Sequence, residues 1–457
     1  MYVKNKGRIG VWGYGTVGKA ISRYFHEQGY HINVMDKRML RLDEIQELQQ
    51  KNMCLFHENN KNDFFNFSDY IFSSPGINIV DDYATHKYKW ITELDFFAAY
   101  IQKPIIAVTG SIGKTSITHM LAALLKLAHI SACVGGNIGV AMFNLLAQKD
   151  IIDYALLEVS SFQLHHCTTF APQLALWTNI HPNHLDHHRD EKEYFLAKYN
   201  IMAYQQPHQH AVLHLSLRSR LPHATIQQQR SYITRHKPDN SILTALHHNE
   251  RMYYLDHHNN IIRYHRNTET PIVTLNDALL HFSFIENTIM LAAAANILQI
   301  SPLLMLQLPD VIQLPEHRLE KVATINAVDF YNDSKSTTIA STLAAVEKLK
   351  HRPLHLFLGG LSKGVNREPF IAQLKAITKH IYCFGKEAQE LHAFCIQNAV
   401  ASTPLIDLTT AFYACIKNIQ PGDIVLLSPA GSSYDLYDNF EKRGMHFKDL
   451  VKKMTEF

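Results

Sequence analysis

The run Gly110-Ser111-Ile112-Gly113-Lys114-Thr115-Ser116 carries the sharpest chemical signal in the chain. Glycines let backbone N–H groups turn inward around phosphate oxygens, and a helix start adds partial positive charge at the same place. Lys114 reaches the outer phosphates of a nucleotide, and the hydroxyls of Thr115 and Ser116 reach its magnesium ion. The candidate contact run extends through Ile117. Only two residues separate the glycines, where the common phosphate loop has four. A second glycine-rich turn, Gly13-Tyr14-Gly15-Thr16-Val17-Gly18, is a weaker signal that suits NAD or any other diphosphate. Asp36 closes the following strand, where dinucleotide binders hold a ribose hydroxyl. Two nucleotide-type sites in one chain argue against a simple dehydrogenase.

A carboxylate at the C-terminal end of a parallel strand faces the ligand crevice. Glu158 takes that position in Leu156-Leu157-Glu158. Magnesium favours one or two protein oxygens plus phosphates and water, so Glu158 is a candidate metal ligand.

The elements that must position these residues follow from periodicity. Arg8–Trp12, a helix through Ile21, Tyr24 and Phe25, and the strand from His31 to Met35 read as a β-α-β unit. Another strand is expected at 70–73, stopped by Ser74-Pro75-Gly76, and a helix over 92–100. The strand Ile105–Thr109 leads through the lysine loop into an apolar helix over 115–127, and strands are expected at 154–158 and 174–179. Alternating strands and helices imply parallel sheets wrapped on both faces. From about 205 to 271 the pattern weakens and reads as an irregular or antiparallel part of the same domain. Strands at 329–331, 354–358, 381–384 and 424–428 make a third α/β segment. The expected domains are 1–93, 94–314 and 315–457.

Composition sets the class. Apolar residues make up 46% and charged residues 19%, as in globular enzymes with large cores. A net charge of +3 gives no case for nucleic acid or membrane partners. The six cysteines form no CxxC pair and fit a reducing, cytoplasmic setting. No apolar run reaches the ~20 residues that span a bilayer, and a monomer is expected. The 29 histidines crowd between His208 and His265, but their spacing follows no ligand pattern and reads as biased surface composition.

The shortened loop Thr109-Gly110-Ser111-Ile112-Gly113-Lys114-Thr115 resembles the ATP loop of the Mur ligases and the folylpolyglutamate synthases, with Ile112 where Asn is common. The resemblance covers nearly the whole chain, its motifs stand in the family's order, and a UDP-type N-terminal segment precedes the loop, as in the Mur ligase family. It implies an N-terminal Rossmann-like UDP-binding domain, a central P-loop ATPase-like parallel sheet and a C-terminal Rossmann-like α/β domain. It further implies ATP as substrate and Mg²⁺ as cofactor. In Asn179-Ile180-His181-Pro182-Asn183-His184-Leu185-Asp186, His184 falls at the family's metal-binding histidine, although Asn183 stands where Asp is frequent. Lys198 falls at its carbamylated lysine, which joins Thr115, Ser116, Glu158 and His184 at the metal.

In Val134-Gly135-Gly136-Asn137, Asn137 is implied to sit near the UDP-sugar substrate and the reaction centre. Asn287 is what remains of an adenine-contacting motif. Arg318 of Glu316-His317-Arg318 is implied at the phosphate end of ATP, and Asp333 of Asn332-Asp333-Ser334-Lys335 at its ribose. The UDP part is implied to meet Gly13, Tyr14, Gly15, Thr16, Gly18, Asp36, Lys37, Ser74 and Gly76. Three motifs imply D-glutamate as the amino acid: Gly359-Gly360-Leu361-Ser362-Lys363-Gly364, Leu427-Ser428-Pro429-Ala430-Gly431-Ser432-Ser433, and Asn439-Phe440-Glu441-Lys442-Arg443-Gly444. Thr337, Lys363, Ser433, Tyr434 and Phe440 are its candidate contacts, with UDP-N-acetylmuramoyl-L-alanine as the acceptor and an acyl phosphate as the intermediate. Lys114, Asn137, His184, Lys198 and Lys363 are the candidate catalytic residues. An NAD-dependent oxidoreductase and a catalytically silent ATP binder are the readings from other classes. The first rests on Gly13–Gly18; the second is opposed by Lys114, Glu158, His184 and Lys198 together.

Overall fold

The computed structural model describes residues 7–184, 187–222, 228–312, 316–362 and 364–454. The chain divides into two compact units. The first holds residues 1–180 and 192–312; the second holds 181–191 and 313–457. The fold is α/β with three sheets.

The first sheet is built from β1 (Arg8–Trp12), β2 (His31–Asp36), β3 (Cys54–His57) and β4 (Tyr70–Ser73), ordered β3-β2-β1-β4. The pairings of β1 with β2 and β4, and of β2 with β3, are parallel. The expected β-α-β unit is present, with its helix over Thr16–Glu27.

The second sheet has nine strands: β5 (Ile105–Thr109), β6 (Ala132–Gly136), β7 (Tyr154–Glu158), β8 (Leu174–Trp177), β9 (His210–His214), β10 (Gln229–Ile233), β11 (Glu250–Leu255), β12 (Asn260–His265) and β13 (Thr268–Thr274). Their order is β13-β12-β11-β10-β9-β8-β5-β7-β6. Strand β5 is fully buried between β7 and β8, which explains its uninterrupted apolar run.

The 205–271 region departs from expectation. Strands β9, β10 and β11 continue the parallel sheet, and only β12 and β13 turn antiparallel. Polar side chains inside β10 and β11, such as Arg230 and Glu250, had broken the apolar signature of a parallel strand. The paired histidines His247, His248, His257 and His258 are exposed.

A continuous apolar core joins the first two sheets through the helix Glu93–Ile101. Its centre is aromatic. Phe96 stacks on Phe143 at 5.0 Å and meets Phe72 edge-on at 5.5 Å, with Phe25 5.2 Å away. All four rings are buried. At about 1.5–3 kcal/mol per fully buried side chain, they make this joint a rigid part of the first unit.

The second unit carries β14 (Glu320–Ile325), β15 (Val328–Asn332), β16 (Leu354–Gly359), β17 (Thr378–Phe384), β18 (Ser402–Leu405) and β19 (Ile424–Leu427), ordered β14-β15-β19-β16-β17-β18. The sheet is parallel except for the β14–β15 hairpin. Its two faces are covered by separate apolar clusters. Among the described residues, no helix is long and apolar enough to cross a membrane.

Candidate functional site

The lysine loop leaves β5 at its C-terminal end and enters the helix Lys114–Leu127. Gly110 and Gly113 adopt φ of 147° and 86°, the left-handed region that only glycine enters cheaply. A Cβ on Gly110 would lie 1.9 Å from Thr178 Oγ1, and one on Gly113 would lie 2.6 Å from Asn287 Oδ1. Both glycines are therefore required by space as well as by φ.

The segment after β8 brackets the loop. Ile112 N–H donates to Asn179 Oδ1 at 2.9 Å, and Asn179 Nδ2 donates back to the Ile112 carbonyl at 3.1 Å. Thr178 Oγ1 donates to that same carbonyl at 2.5 Å, and Ser111 Oγ bonds Tyr194 OH at 3.0 Å. The backbone is thus held from outside, and the aliphatic Ile112 contributes only its main chain to these bonds. Asn287 is buried against Gly113 with its Nδ2 donating to Ser283 Oγ at 3.1 Å, a buttress under the loop.

Two lysines converge on one carbonyl. Lys114 Nζ donates to Gly110 O at 2.9 Å, and Lys198 Nζ donates to the same atom at 3.0 Å. Lys198 is 2% exposed, and its nitrogen stands 4.9 Å from the Tyr194 ring centre. Burial, reinforced by the Lys114 charge and opposed by Glu158, pushes the Lys198 ammonium well below the usual lysine range. Two like charges ~5 Å apart repel by about 3 kcal/mol at an effective dielectric constant of 20. That repulsion adds to burial in favouring the uncharged form of Lys198.

Glu158, at the end of β7, is also 2% exposed. Its Oε1 accepts from Asn137 Nδ2 at 2.9 Å, and its main-chain carbonyl accepts from Asn137 N–H at 2.8 Å. Its Oε2 is buried with no hydrogen-bond partner among the described residues. An orphaned buried carboxylate oxygen costs several kcal/mol unless a cation meets it. Oxygen chemistry at this position suits magnesium, and Glu158 with the Thr115 and Ser116 hydroxyls would hold it.

The first glycine turn is set by equally tight contacts. Gly13 has φ 96°, and a Cβ on Gly18 would lie 1.8 Å from the Gly13 carbonyl oxygen. Ser74 Oγ donates to that carbonyl at 2.8 Å, which packs the Ser74-Pro75-Gly76 segment against the turn. Asp36 Oδ2 accepts from Tyr14 N–H at 2.7 Å and Oδ1 from Arg38 N–H at 2.9 Å. Arg38, which motif reading passed over, donates through Nη2 to the Tyr14 carbonyl at 2.8 Å and pairs with Glu44 at 2.7 Å. A guanidinium thus lies over the turn.

In the second unit, Arg318 stands between His317 and Leu319, both in left-handed conformations at φ 65° and 47°. Asp333 is 5% exposed. Its Oδ1 accepts from Leu319 N–H at 3.0 Å and its Oδ2 from Ser428 Oγ at 2.7 Å. Burial pushes its carboxyl up to about 6. Lys335 Nζ lies 3.7 Å from the Phe440 ring centre. The fully buried Arg443 donates to Ser334 Oγ, the Ser334 carbonyl and the Gly431 carbonyl at 3.0, 2.8 and 3.1 Å. It ties the 332–337 and 429–433 loops together. Ser433 is buried in this knot, Tyr434 is exposed, and Thr337 and Phe440 are half-buried. His184, in the 181–191 segment of this unit, has φ 58° and donates its N–H to Asn183 Oδ1 at 3.0 Å. Lys363 lies outside the described residues.

A strand, a glycine loop, a lysine and a helix, with a buried carboxylate alongside, define a nucleotide-phosphate-binding α/β enzyme. The chain belongs to the Mur ligase family. The Mur ligase MurD-like N-terminal domain matches residues 7–88, the Mur ligase middle domain 108–281, and the glutamate ligase domain of Mur ligases 317–431. The UDP-N-acetylmuramoylalanine–D-glutamate ligase of Oleidesulfovibrio alaskensis is 32% identical over 96% of this chain and 93% of its own. That of Acidobacterium capsulatum is 30% identical over 99% and 97%. Among solved structures, MurF of Acinetobacter baumannii shares the fold at a TM-score of 0.59, with 14% identity over 96% of this chain and 93% of that one.

Proposed function

We propose that this chain is an ATP-dependent ligase that joins D-glutamate to UDP-N-acetylmuramoyl-L-alanine in the cytoplasm, for peptidoglycan precursor synthesis. The names of the full-length relatives support this reading. The observation that carries the chemistry is the shared Gly110 carbonyl, to which both Lys114 and Lys198 donate, with burial pushing the Lys198 ammonium down.

The substrate carboxylate attacks the γ-phosphorus of ATP, the bond from that phosphorus to the β–γ bridging oxygen breaks, and ADP leaves with an acyl phosphate formed. Lys114 and the backbone N–H groups of 113–116 neutralise the charge that accumulates on the phosphoryl oxygens. Arg318 adds to this, and Asp333 fixes the loop that presents it. The amine of D-glutamate then attacks the acyl carbonyl, the C–O bond to phosphate breaks, and one proton leaves the nitrogen. Glu158, Thr115 and Ser116, with His184, would hold magnesium, which would supply further charge neutralisation. Once deprotonated, the Lys198 amine attacks CO₂, forming an N–C bond and releasing one proton, and the resulting carbamate would give a bound magnesium a second anionic oxygen ligand.

Gly13–Gly18 with Asp36, Lys37, Ser74 and Gly76 receives the UDP part, and Thr337, Lys363, Ser433, Tyr434 and Phe440 receive D-glutamate. Three functional domains, 1–93, 94–314 and 315–457, correspond to these tasks in a monomeric enzyme.

An acyl phosphate transfers one oxygen of the substrate carboxylate to phosphate. With ¹⁸O in that carboxylate, the released phosphate carries one label per turnover. Unlabelled phosphate with labelled amide would overturn the mechanism. For the carbamate, ¹³CO₂ produces one carbamate carbonyl resonance that Lys198→Ala removes.

A further inference from the structure

A cavity of about 520 Å³ opens at the other edge of the nine-stranded sheet. Its lining includes Thr168, Tyr199, Tyr204, Gln205 and Arg230. Residues 168–171 precede β8, Gln205 precedes β9, and Arg230 is the second residue of β10. Strands β5, β8, β9 and β10 run parallel. The cavity therefore flanks their N-terminal ends, whereas the lysine loop leaves the C-terminal end of β5. A five-residue strand puts about 16 Å of sheet between the two edges, so this is a separate place from the phosphate loop.

Its wall contains two polar groups left unsatisfied. Arg230 is 4% exposed, and its Nε–H has no hydrogen-bond partner among the described residues. Gln205 is 3% exposed; its Nε2 donates to the Pro172 and His210 carbonyls at 2.8 and 2.9 Å, while its Oε1 has no partner. The neighbouring carboxylate is already committed. Glu250 accepts from Tyr232 OH at 2.9 Å, from His247 N–H at 3.0 Å and from Arg218 Nη2 at 3.4 Å. Arg218 is the cation that pairs with Glu250, Arg230 has the Tyr232 hydroxyl as a side-chain partner, and among the described residues no carboxylate is within ion-pair reach of Arg230. A buried donor without a partner is disfavoured, and a guanidinium edge matches a carboxylate or phosphate in geometry.

We propose that this cavity binds a small oxyanion, an organic carboxylate or a phosphate, that also offers a hydrogen-bond donor. The anion meets the Arg230 guanidinium, its donor meets Gln205 Oε1, and the Tyr199 and Tyr204 rings flank it. The volume lies within the range of small-molecule sites.

Calorimetric titration of the full chain with inorganic phosphate, and separately with L-malate, tests this. Ala203→Trp fills the cavity without touching the cation, so its difference from wild type isolates the cavity from the lysine loop. Expected is saturable binding of at least one probe that Ala203→Trp and Arg230→Gln each weaken at least tenfold, with basal ligase activity unchanged. Phosphate alone binding this way assigns the cavity to phosphate compounds, and malate alone to carboxylates. Isotherms identical in wild type and Ala203→Trp, or no saturable binding of either probe, would overturn the proposal; Ala203→Trp keeps the test decisive if Arg230→Gln does not fold.

Discussion

Replacing Lys198 by Met should change how stability depends on pH, and the size of the change follows from burial. In the unfolded chain this amine carries a proton up to a pKa of about 10.4. In the folded chain, burial and the Lys114 charge push it well below that value. Between the depressed folded value and about 10.4 the unfolded state binds one more proton than the native state. Stability therefore rises with pH in that window, by about 1.4 kcal/mol per unit. Met has nearly the same shape and no proton, so it removes this slope and leaves the rest of the titration alone. Within that window the wild type should gain stability relative to Lys198→Met as pH rises, and the gain should level off above about 10.4. Urea unfolding of both proteins in CO₂-depleted buffer at several pH values measures it. Parallel stability curves would refute the claim that burial favours the uncharged form of Lys198, and with it the readiness of this amine to form a carbamate.

The Asp333 carboxyl, raised by burial to about 6, works in the opposite direction. Its contribution is full below the unfolded value and is lost as pH rises through about 6, so Asp333→Asn should remove roughly 3 kcal/mol of pH dependence between pH 4 and 7, seen by the same unfolding assay. Gly18→Ala would set a Cβ 1.8 Å from the Gly13 carbonyl; an increase of at least tenfold in KM for the UDP substrate, with ATP affinity retained, is expected in steady-state kinetics. Lys114→Ala should lower turnover by at least about a thousandfold, the scale of removing a key phosphoryl-transfer cation, while calorimetry still shows UDP-substrate binding.

Much of the site was legible because its signals are local. Gly110 and Gly113 announce positive φ, the apolar run of β5 announces a buried strand, and Glu158 ends a second one. The contacts that hold this loop were not legible, since Thr178, Asn179 and Tyr194 reach it from 66 or more positions away and nothing local pairs them with it. Arg38 was missed for a related reason. It follows the Asp36 that motif reading singles out, yet its contacts depend on how the Gly13–Gly18 turn folds back onto it. The edge of the second sheet was misread because Arg230 and Glu250 interrupt the apolar pattern that normally marks a parallel strand. Arg230 also lines the cavity proposed above to bind an oxyanion.

Amino-acid selectivity bears most directly on the account. The protein, ATP, Mg²⁺ and UDP-N-acetylmuramoyl-L-alanine are combined with one amino acid at a time, and released phosphate is matched against amide product. D-Glutamate should drive stoichiometric release of phosphate and product, while L-lysine and diaminopimelate leave both at background. Product formation with either of those two, and none with D-glutamate, would contradict it.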